Sequence, residues 1–284
     1  ADVFKAFIQV EIGEVEGLLS DIPAERIAMR NKVYEEVNNL FRDRKVRTVY
    51  LGNNLYPTDA LANRFKISKK NLEDIFWSGV KVDCNELNST GKALKQLLKN
   101  GKQIHITTPA GTDLTVNIEG RPISISDGIL TNEEIKNGTL DVWLPAGEVY
   151  LPSNPGTANG ILKLKKHFYE GKVIEDLTVT FQSGKVISIT AKLGLDRMKS
   201  VYDAVGKGKD EFAYIDFGIN PNVNIPKDSE MITWVSSGMV SVGIGGNLWA
   251  GGENSIGYGH NFFLADATVT IDGKVVVENG KLKI

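Results

Sequence analysis

Hydrophobic positions change their period about one third of the way along the chain. Residues 4–12 (FKAFIQVEI) predict a strand, and residues 23–44 carry Ile27, Val33, Val37 and Leu40 at helical spacing behind Asp21, Pro23 and Glu25. Residues 46–51 (VRTVYL) are rich in β-branched side chains and close on Gly52-Asn53-Asn54, which predicts a strand followed by a turn. Residues 68–80, opened by Ser68 with Leu72, Ile75 and Phe76 on one side, and residues 90–98 predict two further amphipathic helices. This order predicts a small α/β unit over residues 1–100.

Beyond Asn100 short alternating runs take over. They cover residues 103–108, 113–118, 177–182, 185–191, 231–244, 267–271 and 274–278, with turn pairs such as Glu119-Gly120, Ser183-Gly184, Asp272-Gly273 and Asn279-Gly280 between them. One helix is expected at residues 195–205. The fold class is therefore α+β: a small N-terminal α/β unit, then a mainly antiparallel β domain over residues 101–284.

Composition narrows the function classes. With 33 basic and 35 acidic residues the net charge is -2, which excludes a nucleic-acid binder working by bulk positive charge. No apolar run approaches the ~18 residues of a membrane span. Cys84 stands alone, so an intramolecular disulfide and a cysteine-based zinc or iron–sulfur site are excluded. Its apolar neighbours favour a small buried thiol over a nucleophile. The first residues carry acids where a leader would be apolar, so the cytoplasm is the expected location, with a secreted mature form left open.

Three histidines are available. His105 lies on the polar side of an alternating run and reads as a surface residue, and His167, among lysines, reads as solvated. His260 follows the glycine-rich GGENSIGYG and precedes a strand, an approach that brings side chains close to a ligand or simply makes a turn. Glu148 follows the Pro145-Ala146-Gly147 turn, and Asp216 sits among apolar residues in FAYIDFGI, where a carboxylate needs a partner. On residues alone these three amount to an oxygen-plus-imidazole metal site, with a strand-end acid and a structural turn as the alternatives. The GIGGN string is not followed by a helical pattern, and neither a P-loop nor a GxSxG elbow occurs, so nucleotide and serine-hydrolase chemistry is disfavoured.

Several strings together resemble the aminopeptidase T/aminopeptidase S family of two-metal exopeptidases. Residues 67–86 (ISKKNLEDIFWSGVKVDCNE) are similar to the family's helix leading into its catalytic domain, and residues 108–122 (TPAGTDLTVNIEGRP) to its GTDL-type strand. LPAGEVYLP carries the PAGE string of the family's first metal-bridging glutamate. IDFGINPN, VSVGIGGNLWAGGENSIGYGHNF and IDGKVVVENG resemble its remaining site segments and its C-terminal hairpin. The likeness runs from about residue 60 to the end, and the family's longer N-terminal domain implies a chain shortened at the front.

The resemblance implies a ligand set of two glutamates, two histidines and an aspartate. It assigns Glu148 to the first glutamate, Asp216 to the second, Ser241 to the first histidine, His260 to the second histidine and Phe262 to the aspartate. Ser241 and Phe262 cannot replace imidazole and carboxylate, which leaves Glu148, Asp216 and His260 to hold one divalent ion (zinc, cobalt or manganese) or none, with Glu253 as a substitute carboxylate. The function implied is a metal-dependent aminopeptidase acting on peptide N-termini. The alternatives are a non-catalytic relative that binds a peptide or small molecule in the old cleft, and an assembly protein. A homodimer is expected, without nucleic-acid or membrane partners.

Overall fold

The computed structural model describes residues 4–12, 22–23, 26, 37, 40–41 and 43–284. The helix expected over residues 23–44 lies for the most part outside the described residues. Strands β1 (Ala6–Val10) and β2 (Arg47–Leu51) pair in parallel. Three helices follow: α1 (Asp59–Phe65), α2 (Lys69–Val80) and α3 (Cys84–Asn100). Each starts where a side-chain oxygen accepts from a free first-turn N–H: Thr58 from Leu61, Ser68 from Asn71 and Asp83 from Asn85. The Asp83 cap moves the start of α3 six residues ahead of the expected Thr90, because its polar first turns carry little apolar period.

The antiparallel part begins with β3 (Gln103–Thr107), β4 (Asp113–Asn117) and β5 (Ser124–Ser126). After the short helix α4 (Asn132–Lys136) the chain returns to the first sheet. There β6 (Asp141–Leu144) pairs with β2 in parallel, giving the order β1-β2-β6. Next come β7 (Glu148–Pro152), β8 (Asn159–Tyr169), β9 (Lys172–Gln182), β10 (Lys185–Thr190), helix α5 (Asp196–Ala204), β11 (Phe212–Gly218) and β12 (Val240–Gly245). The chain ends with β13 (Gly259–Leu264), β14 (Thr268–Ile271), β15 (Lys274–Glu278) and β16 (Lys281–Leu282). The expected strand over 231–244 is confined to β12. Gly238 turns the chain with φ 91°, while Met231 and Val235 are drawn into a core with α1 and α2.

The strands after α3, apart from β6, form two antiparallel sheets, an eight-stranded one in the order β10-β9-β8-β4-β3-β14-β15-β16 and a five-stranded one in the order β13-β12-β11-β7-β5. The fold is thus α+β, as expected. Their inner faces and the apolar side of α3 (Leu87, Leu94, Leu98) enclose the main core. Every residue of β11 and β12 is buried, so the five-stranded sheet is covered on its outer face as well. Among the described residues no helix is long and apolar enough to cross a membrane.

The turn before β7 is set by Gly147. Its φ of 129° belongs to glycine, and a Cβ there would lie 2.6 Å from the Cβ of Asn220. Asn220, fully buried, donates to the carbonyls of Ala146 (2.6 Å) and Gly79 (3.1 Å), tying the turn to the end of α2. Gly147→Ala should therefore lower stability by about 2 kcal/mol or more, through backbone strain and the contact with Asn220. Denaturant titration checks this, and an unchanged midpoint would show that the turn relaxes freely.

Candidate active-site cleft

The ladder of the five-stranded sheet decides which side chains meet. Asp216 is paired with Tyr150 on one side and Ser241 on the other, and Ser241 in turn with Phe263. Tyr214 lies opposite Gly243, which lies opposite Asn261, and Glu148 is paired with Gly218 and Ser126. Paired residues share a face, and alternate residues along each strand join them. Glu148, Tyr150, Tyr214, Asp216, Ser241, Asn261 and Phe263 therefore stand on the outer face. The inner face carries Leu151, Ile215, Val242, Ile244 and Phe262, all in the core, together with His260.

The structure thus brings Glu148, Asp216 and Ser241 together and turns His260 and Phe262 away. His260 faces Ile244 across the ladder and meets His167 of β8, Nε2 to Nε2 at 2.8 Å, beside the rings of Phe262 and Tyr169. One Nε2–H donates to the other ring's Nε2 lone pair, so the accepting imidazole is neutral in this contact. His167, expected in solvent, is buried, because β8 places it on the inward side of the eight-stranded sheet. Residue 262 is buried in the core, Asn261 and Phe263 stand on the outer face, and of these Asn261 lines the cleft. Glu253 is taken up by Arg121, whose guanidinium donates to both its oxygens at 2.7 and 3.2 Å.

Above the outer face lies a cleft of about 990 Å³, walled by the parallel sheet on the other side. The turn after β2 delivers Asn53, whose Nδ2 donates to the Pro145 carbonyl (3.0 Å) and to Oε1 of Glu148 (3.1 Å). Asp216 is buried. Its Oδ2 accepts a long bond from Ser241 Oγ (3.4 Å), and its Oδ1 has no hydrogen-bond partner. Burial pushes the Glu148 carboxyl up to about 7 against the opposing Asn53 bond. Burial and then the Glu148 charge raise Asp216 well above the usual carboxylate range.

Aromatic side chains complete the cleft. Tyr214 Oη donates to Asn261 Oδ1 at 2.6 Å, and Gly243 leaves room for the ring, since a Cβ there would lie 2.1 Å from Tyr214 Cε1. Trp249 sits on a 3-10 turn, Leu248–Ala250, held by Asn247, which donates to the Ala213 carbonyl and accepts from the Asn254 N–H. Its ring meets Tyr150 and Tyr214 at centroid distances of 5.1 and 4.9 Å. Asn53, Tyr150, Tyr214, Trp249 and Asn261 were not singled out from the sequence. The Gly52-Asn53-Asn54 turn and the alternation around Asp216 are the signals that point to the first three.

Whether these residues fit the implied two-ion centre follows from the donors. The outer face offers two carboxylates and the neutral oxygens of Ser241 and Asn261, the latter already engaged by Tyr214. It offers no imidazole, and among the described residues no three His, Cys, Asp or Glu side chains group to hold a metal ion. The set does not fit a centre of two ions with imidazole ligands.

A family model for thermophilic metalloproteases (M29) matches residues 1–207. The chain belongs to the M29 family. The M29 match includes Glu148 and ends before Asp216, Ser241 and His260. Aminopeptidase AmpS of Bacillus subtilis (strain 168) is 30% identical over 94 residues, which is 33% of this chain. That match spans only 22% of the curated relative's length. Among solved structures, AmpT from Thermus thermophilus aligns with a TM-score of 0.70 at 14% identity, over 98% of this chain and 76% of its own. The 2,5-dihydroxypyridine dioxygenase of Pseudomonas putida KT2440 aligns with a TM-score of 0.62 at 14% identity, over 86% of this chain and 67% of its own. Both likenesses establish the fold.

Two pH dependences follow with opposite signs. Burial, and secondarily the Arg64 charge, lowers His167 to about 4; burial, and secondarily His167, lowers His260 to about 3. Unfolded imidazoles take up protons near 6.5, so this pair's stability is full above about pH 6.5 and is lost as pH falls through about 4 and 3. His167→Gln should flatten that acid limb by on the order of 3 kcal/mol, measured as the change in unfolding free energy with pH. An acid limb identical to wild type would place the loss elsewhere.

The carboxylates act the other way. Their folded-state values are raised, so their contribution is full below the ordinary carboxylate range and is lost with rising pH, through about 7 for Glu148. Asp216→Asn should therefore gain stability on wild type as pH rises, by about 1–3 kcal/mol at alkaline pH. A difference that stays constant from acid to alkaline pH would contradict it.

Proposed function

We propose that this M29 member is a ligand-binding protein that holds a peptide or small molecule in the cleft without metal-dependent hydrolysis. One observation carries the reading: the outer face of the five-stranded sheet presents Glu148 and Asp216 with Ser241, Asn261 and Phe263, while His260 faces inward. Two-ion peptide hydrolysis requires ligands for both ions, and neutral oxygens with an aromatic ring do not supply them. The cleft volume of about 990 Å³ suits a ligand of drug or oligopeptide size. The homodimer implied by the resemblance belongs to the same proposal, which needs neither nucleic acid nor membrane.

A second reading is favoured by family membership and by the unpartnered Oδ1 of Asp216: an aminopeptidase acting on peptide N-termini with one divalent ion. Glu148 and Asp216 would be its ligands, and the ion would supply Lewis acidity.

Elemental analysis of purified protein, followed by assay with leucyl p-nitroanilide in added zinc, cobalt or manganese, separates the two. The binding reading expects well under one ion per chain and no metal-dependent release of nitroaniline. Stoichiometric metal together with turnover that a chelator abolishes would establish the second reading instead.

A further inference from the structure

The cleft has a one-sided charge. Asp127, Glu134, Asp141, Glu148 and Asp216 line it, and no lysine, arginine or histidine does so among the described residues. Two of these carboxylates lie on the floor, on neighbouring strands of one sheet face. Asp216 lines the cleft floor and is 3% exposed, and its buried Oδ1 has no hydrogen-bond donor. Without a compensating cation Asp216 holds its proton, because its buried ionised form would lack a donor and would repel the neighbouring Glu148 carboxylate. A ligand that carries positive charge and N–H donors resolves both.

Ring positions select the same chemistry. Tyr150, Tyr214 and Trp249 meet around one spot, with Trp249 packed at 47° and 70° to the two tyrosines. Trp249 remains 58% exposed at the lip, so its ring is available to a ligand. On the facing wall Tyr50 and Trp143 stack at 4.2 Å. Aromatic faces attract ammonium groups and cover the methylene chain between them. The remaining three carboxylates spread this attraction beyond the floor. Asp141 is held by Trp143 Nε1 at 3.0 Å, Asp127 by the Ile129 N–H at 2.9 Å, and Glu134 within its helix cap.

Resting on the binding reading above, we infer that the cleft takes a linear aliphatic di- or polyamine. One ammonium pairs with Glu148 and compensates the buried Asp216 carboxylate behind it, beneath the Tyr150–Tyr214–Trp249 cluster, and the chain runs toward the carboxylates of the facing wall. Free amino acids and short peptides are disfavoured, because their terminal carboxylate would enter an acidic cleft without a basic partner.

Calorimetric titration with spermidine, in chelator, tests this against leucinamide and dialanine as probes of a peptide N-terminus and of a zwitterion. Spermidine should bind saturably below about 1 mM and more tightly than either comparator. Asp216→Asn and Trp249→Ala should each weaken it by about tenfold or more, and Trp249→Phe should retain most of the affinity. Trp249 is exposed, so its replacement leaves the core intact even if the Asp216 variant folds poorly. Absent spermidine binding, binding insensitive to Trp249→Ala, or tighter binding of leucinamide or dialanine would each overturn the inference. Metal-dependent turnover would instead defeat the binding reading, so the two failures are told apart.

Discussion

A sheet covered on both faces cannot slip by one residue without exchanging its core for its cleft. The five-stranded sheet lives under that constraint. Ile215, Phe217, Val242, Ile244, Phe262 and Leu264 fill one side, and a shift of one position would bury Asp216, Tyr214 and Asn261 among them. Burying a carboxylate there would destabilise the fold by several kcal/mol. The register that protects the core thereby determines what the cleft contains.

The same constraint explains which parts of the site could be read from the chain. Asp216 stands among apolar residues, so its burial and its need for a partner were legible, as was Glu148 behind its Pro-Gly turn. His260 was not. Gly259 has no side chain to set the phase, and Phe262 and Phe263 suit either face, so nothing in GHNFF says whether residue 260 or 261 looks outward. The resemblance placed His260 among the ligands, and the register turns its side chain to the inner face.

Helices and hairpins were legible for a different reason: their signals are local. Ser68 with Leu72 and Phe76, or Asp272-Gly273 between two β-branched runs, need only a few neighbours to be understood. The return of β6 to the parallel sheet depends instead on partners about ninety residues away, and the loss of strand in 231–239 depends on the core made by α1 and α2. Family membership and chemistry separate along the same line. The scaffold is M29, whereas the outer-face side chains of β12 and β13 include Ser241, Asn261 and Phe263 and no imidazole.

The crossing of β6 has a further consequence for the order of folding. β2 lacks its neighbour on that side until residue 144 has been made, and the Asn53 contact to Glu148 cannot form before then. β3 waits longer still, since one of its two partners is β14, near the end of the chain. During synthesis the growing polypeptide therefore carries an unpaired edge on β3 until residue 271 has been made, a topology that folds slowly and exposes sticky backbone on the way. Helices α1, α2 and α3, with local contacts and side-chain caps, are the segments able to organise first, and the cleft is assembled only when β2 and β6 face the sheet that β7, β11, β12 and β13 complete.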